Sequence, residues 1–448
     1  MPLPEPRLSE WVERAGGERH GGDATFRGVT TDSRAVAGGE LFVALRGPRF
    51  DGHDHVASAV GAGAVAAMVD HPVDADCPQW RVADTGAGLL AFGTAWRRAW
   101  GGTVLALTGS NGKTTVKELT AAILGQRYAT LATQGNLNNR IGVPLTLLRL
   151  GDDHQRAVIE MGANHPGEIA ELTAAAMPDA ALITNAGPAH LEGFGSVAGV
   201  ATAKGEIFGG LPASGTALFP AESPFSGQWR GLAEGREILT FGQRAGEVRV
   251  AATPAGTGQR LVLETPWGTG HCHLPLAGSH NADNAAAAAA LALAGGASLA
   301  EVTAGLEAAA PVAGRLVRRR GRGGATLLDD TYNANPASLA AGLEVLAAAP
   351  GRRILVLGDM GELGGSAEDY HARAGEAAVA AGVDELWTVG ELAAAAADAF
   401  GHSRRWRDPG ELAAELAGQL DNNTTVLVKG SRTMGLEAVV TALTEGEN

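Results

Sequence analysis

Short apolar runs ending in polar or glycine residues recur along the chain, separated by stretches with helical spacing. "TVLALT" from Thr103, "AVIEM" from Ala157, "ALITN" from Ala181, "TLLDD" from Thr326, "RILVLGD" from Arg353 and "TVLVKG" from Thr425 read as strands. The alanine-, leucine- and glutamate-rich stretches between them read as helices, and the alternation predicts α/β architecture with parallel sheets. These strands finish at Thr108, Glu160, Asn185, Asp330, Asp359 and Lys429. Open α/β sheets bind ligands at the carboxyl ends of their strands, so this polar punctuation outlines candidate sites. The longest apolar run, Ala285 to Ala294, is alanine-rich and too short to span a bilayer. It predicts a close-packed buried helix.

Length changes the picture from one sheet to several. At 448 residues, and about 150 residues per domain, three domains are expected. Seams at "RRAWGG" (97–102) and "AAAPVAGR" (308–315) divide the chain into 1–100, 101–312 and 313–448. Charged residues at 19% and apolar residues at 45% describe a soluble globular protein. Formal net charge is −14, and the one basic cluster is Arg318, Arg319, Arg320 and Arg322, read as a solvated strand edge or hinge. Nucleic acid is therefore disfavoured as a partner. Two cysteines, Cys77 and Cys272, make neither a disulfide framework nor a zinc pair. The start lacks the apolar core of a signal peptide, so a cytoplasmic protein not integral to the membrane is expected.

The stretch "LALTGSNGKTT" (105–115) carries the first specific chemistry. It departs from G-x-x-x-x-G-K-[ST], because Leu107 stands where the first glycine belongs and Gly109 follows two residues late. Glycines 109 and 112 would let backbone N–H groups approach phosphate oxygens. Lys113 would reach the β- and γ-phosphates, the Thr114 hydroxyl would ligate magnesium, and the following helix would present its N-terminus to the anion. Gly109, Ser110, Asn111, Gly112, Lys113, Thr114 and Thr115 form the expected ATP loop. The bland alternative is a glycine-rich turn with a surface lysine.

The compact T-G-S-N-G-K-T-T form resembles the loop of the Mur ligase and folylpolyglutamate synthetase superfamily, which uses ATP to form amide bonds through an acyl phosphate. The likeness covers nearly the whole chain. "GNLNNRIGVPLTLL" (135–148), "VIEMGANHPGEI" (158–169), "ITNAGPAHLEGFGS" (183–196), "AKGEIF" (203–208) and "GSHNADNAAAA" (278–288) resemble successive family segments. The resemblance implies that Glu160 and His190 are metal ligands and that Lys204 is carried as a carbamate. It also implies that Asn281 and Asn284 approach the adenine. Thr114 with Glu160 would hold one magnesium, and His190 with carbamylated Lys204 a second. A carboxylate attacking a γ-phosphate faces anion–anion repulsion, and two bridging cations offset it. An unmodified lysine is a poor ligand, whereas a carbamate offers anionic oxygens. Taken singly, Glu160 could be a cap, His190 a loop hydrogen-bonder and Lys204 a surface charge. Their order behind one glycine loop reverses those odds. Catalysis is expected of Lys113, Lys204, His190 and Glu160. His165, His271 and His273 receive no role; "HCH" (271–273) reads as a half-exposed strand.

The two ends of the chain choose among relatives. "VTTDSRAVAGGELFVALRGPRFDGHDHVASAVGAGA" (29–64) resembles the domain of family members that bind a UDP-sugar peptide, with Ser33 and Arg34 at the uridine diphosphate. Asn138 and Asn139 are assigned to the same substrate. "LLDDTYNANPASLAAGLEVL" (327–346), "ILVLGDMGELG" (354–364) and "LVKGSRTMGLEAVV" (427–440) resemble members that add D-alanyl-D-alanine to UDP-N-acetylmuramoyl-tripeptide. The D-N-P-R of diaminopimelate-adding relatives is absent. The resemblance implies Asp330 at the ATP ribose and Arg315 at the phosphates. It places Asn333 and Asn335 near the nucleotide or the amino-acid substrate, and Lys429, Ser431 and Arg432 at the amino-acid substrate. The expected fold is three α/β domains: an N-terminal one for the UDP substrate, a central P-loop one and a Rossmann-like C-terminal one. ATP, two magnesium ions, carbamylated Lys204 and a monomer complete the expectation. The rivals are a Mur-type ligase adding another amino acid, a P-loop kinase or ATPase, and a non-catalytic UDP-sugar-binding module.

Overall fold

A computed structural model describes residues 6–445. Three α/β sheets follow one another along the chain. The first has five strands within residues 18–81, in the order Glu18–His20, Gln79–Arg81, Ala66–Val69, Glu40–Val43, Gly28–Thr30. Only its edge strand, Glu18–His20, runs antiparallel to its neighbour.

The central sheet has nine strands. Thr103–Thr108 lies in its parallel part, between Arg156–Glu160 and Ala180–Ile183. Both buried on two faces, such strands read as unbroken apolar runs, and that is how the sequence displayed them. The sheet also has an antiparallel extension, Val248–Ala255, Gly258–Thr265 and Gly268–Leu274, that the parallel reading did not foresee. In Gly268–Leu274, His271 and His273 are exposed while Cys272 is buried, the half-exposed strand expected of "HCH".

The third sheet has six strands within 317–406 and 424–429, parallel except for Val317–Arg320. Arg318, Arg319 and Arg320 are exposed on that edge strand, where unpaired backbone benefits from charged cover.

Packing sets how the units meet. Leu8, Trp11, Phe26 and Phe92 of the N-terminal unit share one core with Val143, Leu147 and Ile159 of the central unit. The helix Thr85–Trp100 bridges them: Trp96 Nε1 donates to Leu150 O (2.8 Å) and Arg97 Nε to Ala176 O (2.8 Å). The alanine run is the buried helix Ser279–Ala294, and its small side chains let it lie close to the helix Lys113–Leu124. The C-terminal sheet keeps its own cores on its two faces. Among the described residues, no helix is long and apolar enough to cross a membrane.

Candidate active site

The carboxyl ends of the central and C-terminal sheets face a shared cavity of about 850 Å³. The phosphate loop leaves the strand Thr103–Thr108 and enters the helix Lys113–Leu124. Gly109 (φ +152°) and Gly112 (φ +79°) both need to be glycine. A Cβ would come within 1.9 Å of Thr184 Oγ1 at the first and 2.3 Å of Asn284 Oδ1 at the second. Thr184 and Asn185, at the end of the next strand, hold the loop. Thr184 Oγ1 donates to Asn111 O (2.6 Å), Asn111 N to Asn185 Oδ1 (3.0 Å), and Ser110 N to Asn185 O (3.1 Å). Asn284 donates to Asn281 Oδ1 (3.0 Å), and Asn281 to Ala277 O (2.7 Å). The H-N-x-x-N turn therefore packs on the loop as well as lining the cavity.

Lys113 curls back, its ammonium donating to Gly109 O at 2.7 Å. Burial lowers its pKa; Arg315 acts the same way, against Glu160 and Glu362. Arg315 Nη2 donates to Thr114 Oγ1 across 3.1 Å, and the Tyr332 ring lies under its guanidinium at 4.3 Å. Thr115 lines the cavity. Asn335 Nδ2 donates to Asn111 Oδ1 (2.7 Å) while its own Oδ1 caps the helix Pro336–Ala347. The C-terminal unit thus touches the phosphate loop through two side chains.

Glu160 closes its strand almost fully buried. One oxygen accepts from Asn138 Nδ2 (2.8 Å) and the other has no partner among the described residues. Its N–H donates to Thr133 Oγ1 (3.0 Å), and the buried Lys117 ammonium holds Thr133 O at 2.6 Å. A carboxylate with one oxygen fixed and one free fits a hard cation. Lys204, in the helix Val197–Gly205, is 1% exposed and its Nζ has no hydrogen-bond partner. Burial, reinforced by Lys113, lowers its pKa to about 7. A buried amine that is partly neutral at physiological pH fits carbamate formation. His190 (φ +53°) meets Glu362 of the C-terminal unit, Nδ1 to Oε2 at 2.6 Å. That contact holds the Glu362 carboxyl below its usual range. Thr114 fits a cation less directly, since Arg315 occupies its hydroxyl.

In the C-terminal unit, buried Lys429 donates to Asp330 Oδ2 (2.5 Å) and Asn333 O (3.0 Å). Ser431 Oγ accepts from Gly361 N (2.6 Å), and Arg432 pairs with Glu437. Asp330, Asn333, Lys429, Ser431 and Arg432 all line the cavity. Of the residues assigned to the UDP substrate, Asn138 holds Glu160, and Asn139 Oδ1 accepts from Ile141 N (3.1 Å) and Gly142 N (2.9 Å). Ser33 and Arg34 do not line this cavity; they sit on an exposed turn where Arg34 pairs with Asp32 (2.8 Å). Sequence reasoning missed Thr184, Tyr332 and Glu362, and it marked Asn185 only as a polar strand end without a role. Thr184 stands beside Asn185 at that same carboxyl end.

Three Mur ligase profiles match: "Mur ligase family, catalytic domain" over 25–86, "Mur ligase middle domain" over 107–292, and "Mur ligase, glutamate ligase domain" over 314–432. The chain is 47% identical over 446 residues to the UDP-N-acetylmuramoyl-tripeptide--D-alanyl-D-alanine ligase of Escherichia coli K12, covering 98% of each. It is similar to a crystal structure of MurF from Acinetobacter baumannii, with TM-score 0.92 and 36% identity over 98% of this chain and 99% of that one. A Thermotoga maritima MurF in complex with ADP matches with TM-score 0.82 and 28% identity over 93% and 96%. With profiles on all three of its units and a full-length relative at this identity, the chain belongs to the Mur ligase family.

Proposed function

We propose that this protein is an ATP-dependent ligase that joins D-alanyl-D-alanine to UDP-N-acetylmuramoyl-tripeptide, giving the pentapeptide, ADP and phosphate for peptidoglycan synthesis. The observation that carries the reading is the full-length identity to the Escherichia coli enzyme of that name. The cavity supports it, because one space joins the phosphate loop, Glu160 and His190 to Ser431 and Arg432 of the C-terminal unit.

The loop 109–115 receives the triphosphate, with Lys113 leaving its carbonyl partners for phosphate oxygens. Glu160 and His190, with Lys204 as a carbamate, would hold two magnesium ions, and Thr114 would join once Arg315 moves to the phosphates. Magnesium there supplies charge that screens the substrate carboxylate from the γ-phosphate. The tripeptide carboxylate attacks the γ-phosphorus in line, the bond to ADP breaks, and an acyl phosphate results. The dipeptide amine adds to its carbonyl carbon and loses a proton; phosphate then leaves, completing the amide. Asn335 and Arg315 draw the C-terminal unit onto the loop, excluding water that would hydrolyse the acyl phosphate. The exposed turn at Ser33 and Arg34 belongs to the UDP-binding unit, and residues near 100 and 312 are the domain limits. A cytoplasmic monomer completes the reading.

Purified protein is incubated with ATP, UDP-tripeptide and a panel of amines. Pentapeptide formation and phosphate release are expected with D-alanyl-D-alanine. Phosphate release without an amine would point to a kinase or ATPase, and a different productive amine to another Mur-type ligase. A carbamate resonance from ¹³C-bicarbonate, lost in Lys204→Met, tests the lysine modification.

A further inference from the structure

The incoming amine is a cation at neutral pH, and the cavity must offer it a counter-charge close to the reacting carbonyl. Most cavity carboxylates are already engaged. Glu160 is buried behind Asn138, Asp330 is held by Lys429, Asp283 accepts from Gln243 Nε2 (3.0 Å), and Glu168 accepts from Asn164 N (2.7 Å). Glu362 differs: its side chain is 54% exposed and its contact is an imidazole on the other side of the domain junction.

Its placement is tightly determined. Glu362 adopts φ +62°, a left-handed conformation that side-chain-bearing residues rarely adopt, so surrounding contacts must hold it. Met360 N donates to Nε2 of the fully buried His371 (2.9 Å), whose Nδ1 donates to Ala367 O (2.7 Å). Gly361 N donates to Ser431 Oγ (2.6 Å). The turn bearing Glu362 is thereby coupled to the segment bearing Ser431 and Arg432, whose donors suit the carboxylate at the far end of a dipeptide. On the other side stands His190, its Nδ1 2.6 Å from Glu362 Oε2, in the place an ammonium nitrogen would take.

We propose that Glu362 receives the ammonium group of the acceptor dipeptide and orients it beside the acyl carbon, an inference that rests on the functional reading above. Glu362 then contributes to recognising an amine, not merely a dipeptide-shaped ligand.

The test compares D-alanyl-D-alanine with propionyl-D-alanine, which keeps the carboxylate and amide but lacks the amine. In Glu362→Gln, KM for the dipeptide is expected to rise at least about tenfold. The inhibition constant of the deamino analogue, and KM for ATP and UDP-tripeptide, should stay within about twofold. Glu362→Asp, retaining the charge, should fall between. Unchanged dipeptide KM overturns the proposal. So does equal weakening of dipeptide and analogue, or loss of ATP binding with both, since those mark a strut between domains. If wild-type protein makes no pentapeptide from D-alanyl-D-alanine, the functional reading itself fails, whatever the variant does.

Discussion

Asn335 spends its two amide atoms on different units: Oδ1 caps its own helix, and Nδ2 donates to Asn111 Oδ1 of the phosphate loop at 2.7 Å. The residue that starts a C-terminal helix therefore also reads the position of the central loop. Asn335→Ser separates the roles, because serine caps well but its hydroxyl is too short to reach Asn111. Stability should change by less than about 0.5 kcal/mol, while kcat/KM for ATP falls about tenfold. Urea denaturation and steady-state kinetics check the pair; a loss of stability that matches the loss of activity would refute the separation.

Gly112 sits under Asn284, where a Cβ would approach Oδ1 at 2.3 Å with φ at +79°. Gly112→Ala should abolish measurable ATP binding and destabilise by roughly 1–3 kcal/mol. Adding Asn284→Ala should restore part of the stability but not all of it, since backbone strain remains. A double-mutant cycle in thermal unfolding measures both terms.

Asn138 fixes one oxygen of Glu160, leaving the other free. Losing a partner that orients a metal ligand commonly weakens metal use about 10- to 100-fold. Asn138→Ala should therefore raise the magnesium concentration for half-maximal activity by at least about tenfold, with little change in KM for UDP-tripeptide. A magnesium titration decides it; an altered UDP-tripeptide KM at unchanged magnesium response would return Asn138 to the UDP substrate.

Lys204 titrates near 7 because burial disfavours its charge, with Lys113 adding to the effect. As pH falls from the ordinary lysine range towards 7, the unfolded chain takes up a proton that the folded chain does not. Stability falls over that window and levels off below it. In bicarbonate-free buffer at pH 7, Lys204→Met should be more stable than wild type, by on the order of a few kcal/mol, yet inactive. The difference should shrink at pH 10, and chemical denaturation at the two pH values shows whether it does.

Much of this was legible in the sequence because it rests on local chemistry. Thr103–Thr108 appears as read, since parallel strands buried on both faces show as apolar runs, and Thr326–Asp330 appears as its short apolar run ending in two aspartates. The glycine loop shows in its own local pattern, whereas Glu160 and His190 were singled out through the resemblance of their segments to those of Mur ligases. Glu362 was not, because its meeting with His190 depends on how two separately folded units dock, which no local pattern records. Thr184 and Asn185 support the loop from a strand more than seventy residues away in sequence, again a matter of sheet order. Of the antiparallel strands 248–274 only "HCH" (271–273) reads as a strand, because they alternate buried and exposed positions and leave no apolar run to see.

The N-terminal and central units share one apolar core through Trp11, Phe92 and Ile159, whereas the C-terminal unit has cores of its own. Cooperativity follows apolar contact, so the chain is expected to unfold as two units rather than three. Between them lie polar contacts such as Asn335 with Asn111 and His190 with Glu362, which exchange readily for water. A junction of this kind can part while the apolar cores on either side of it stay intact.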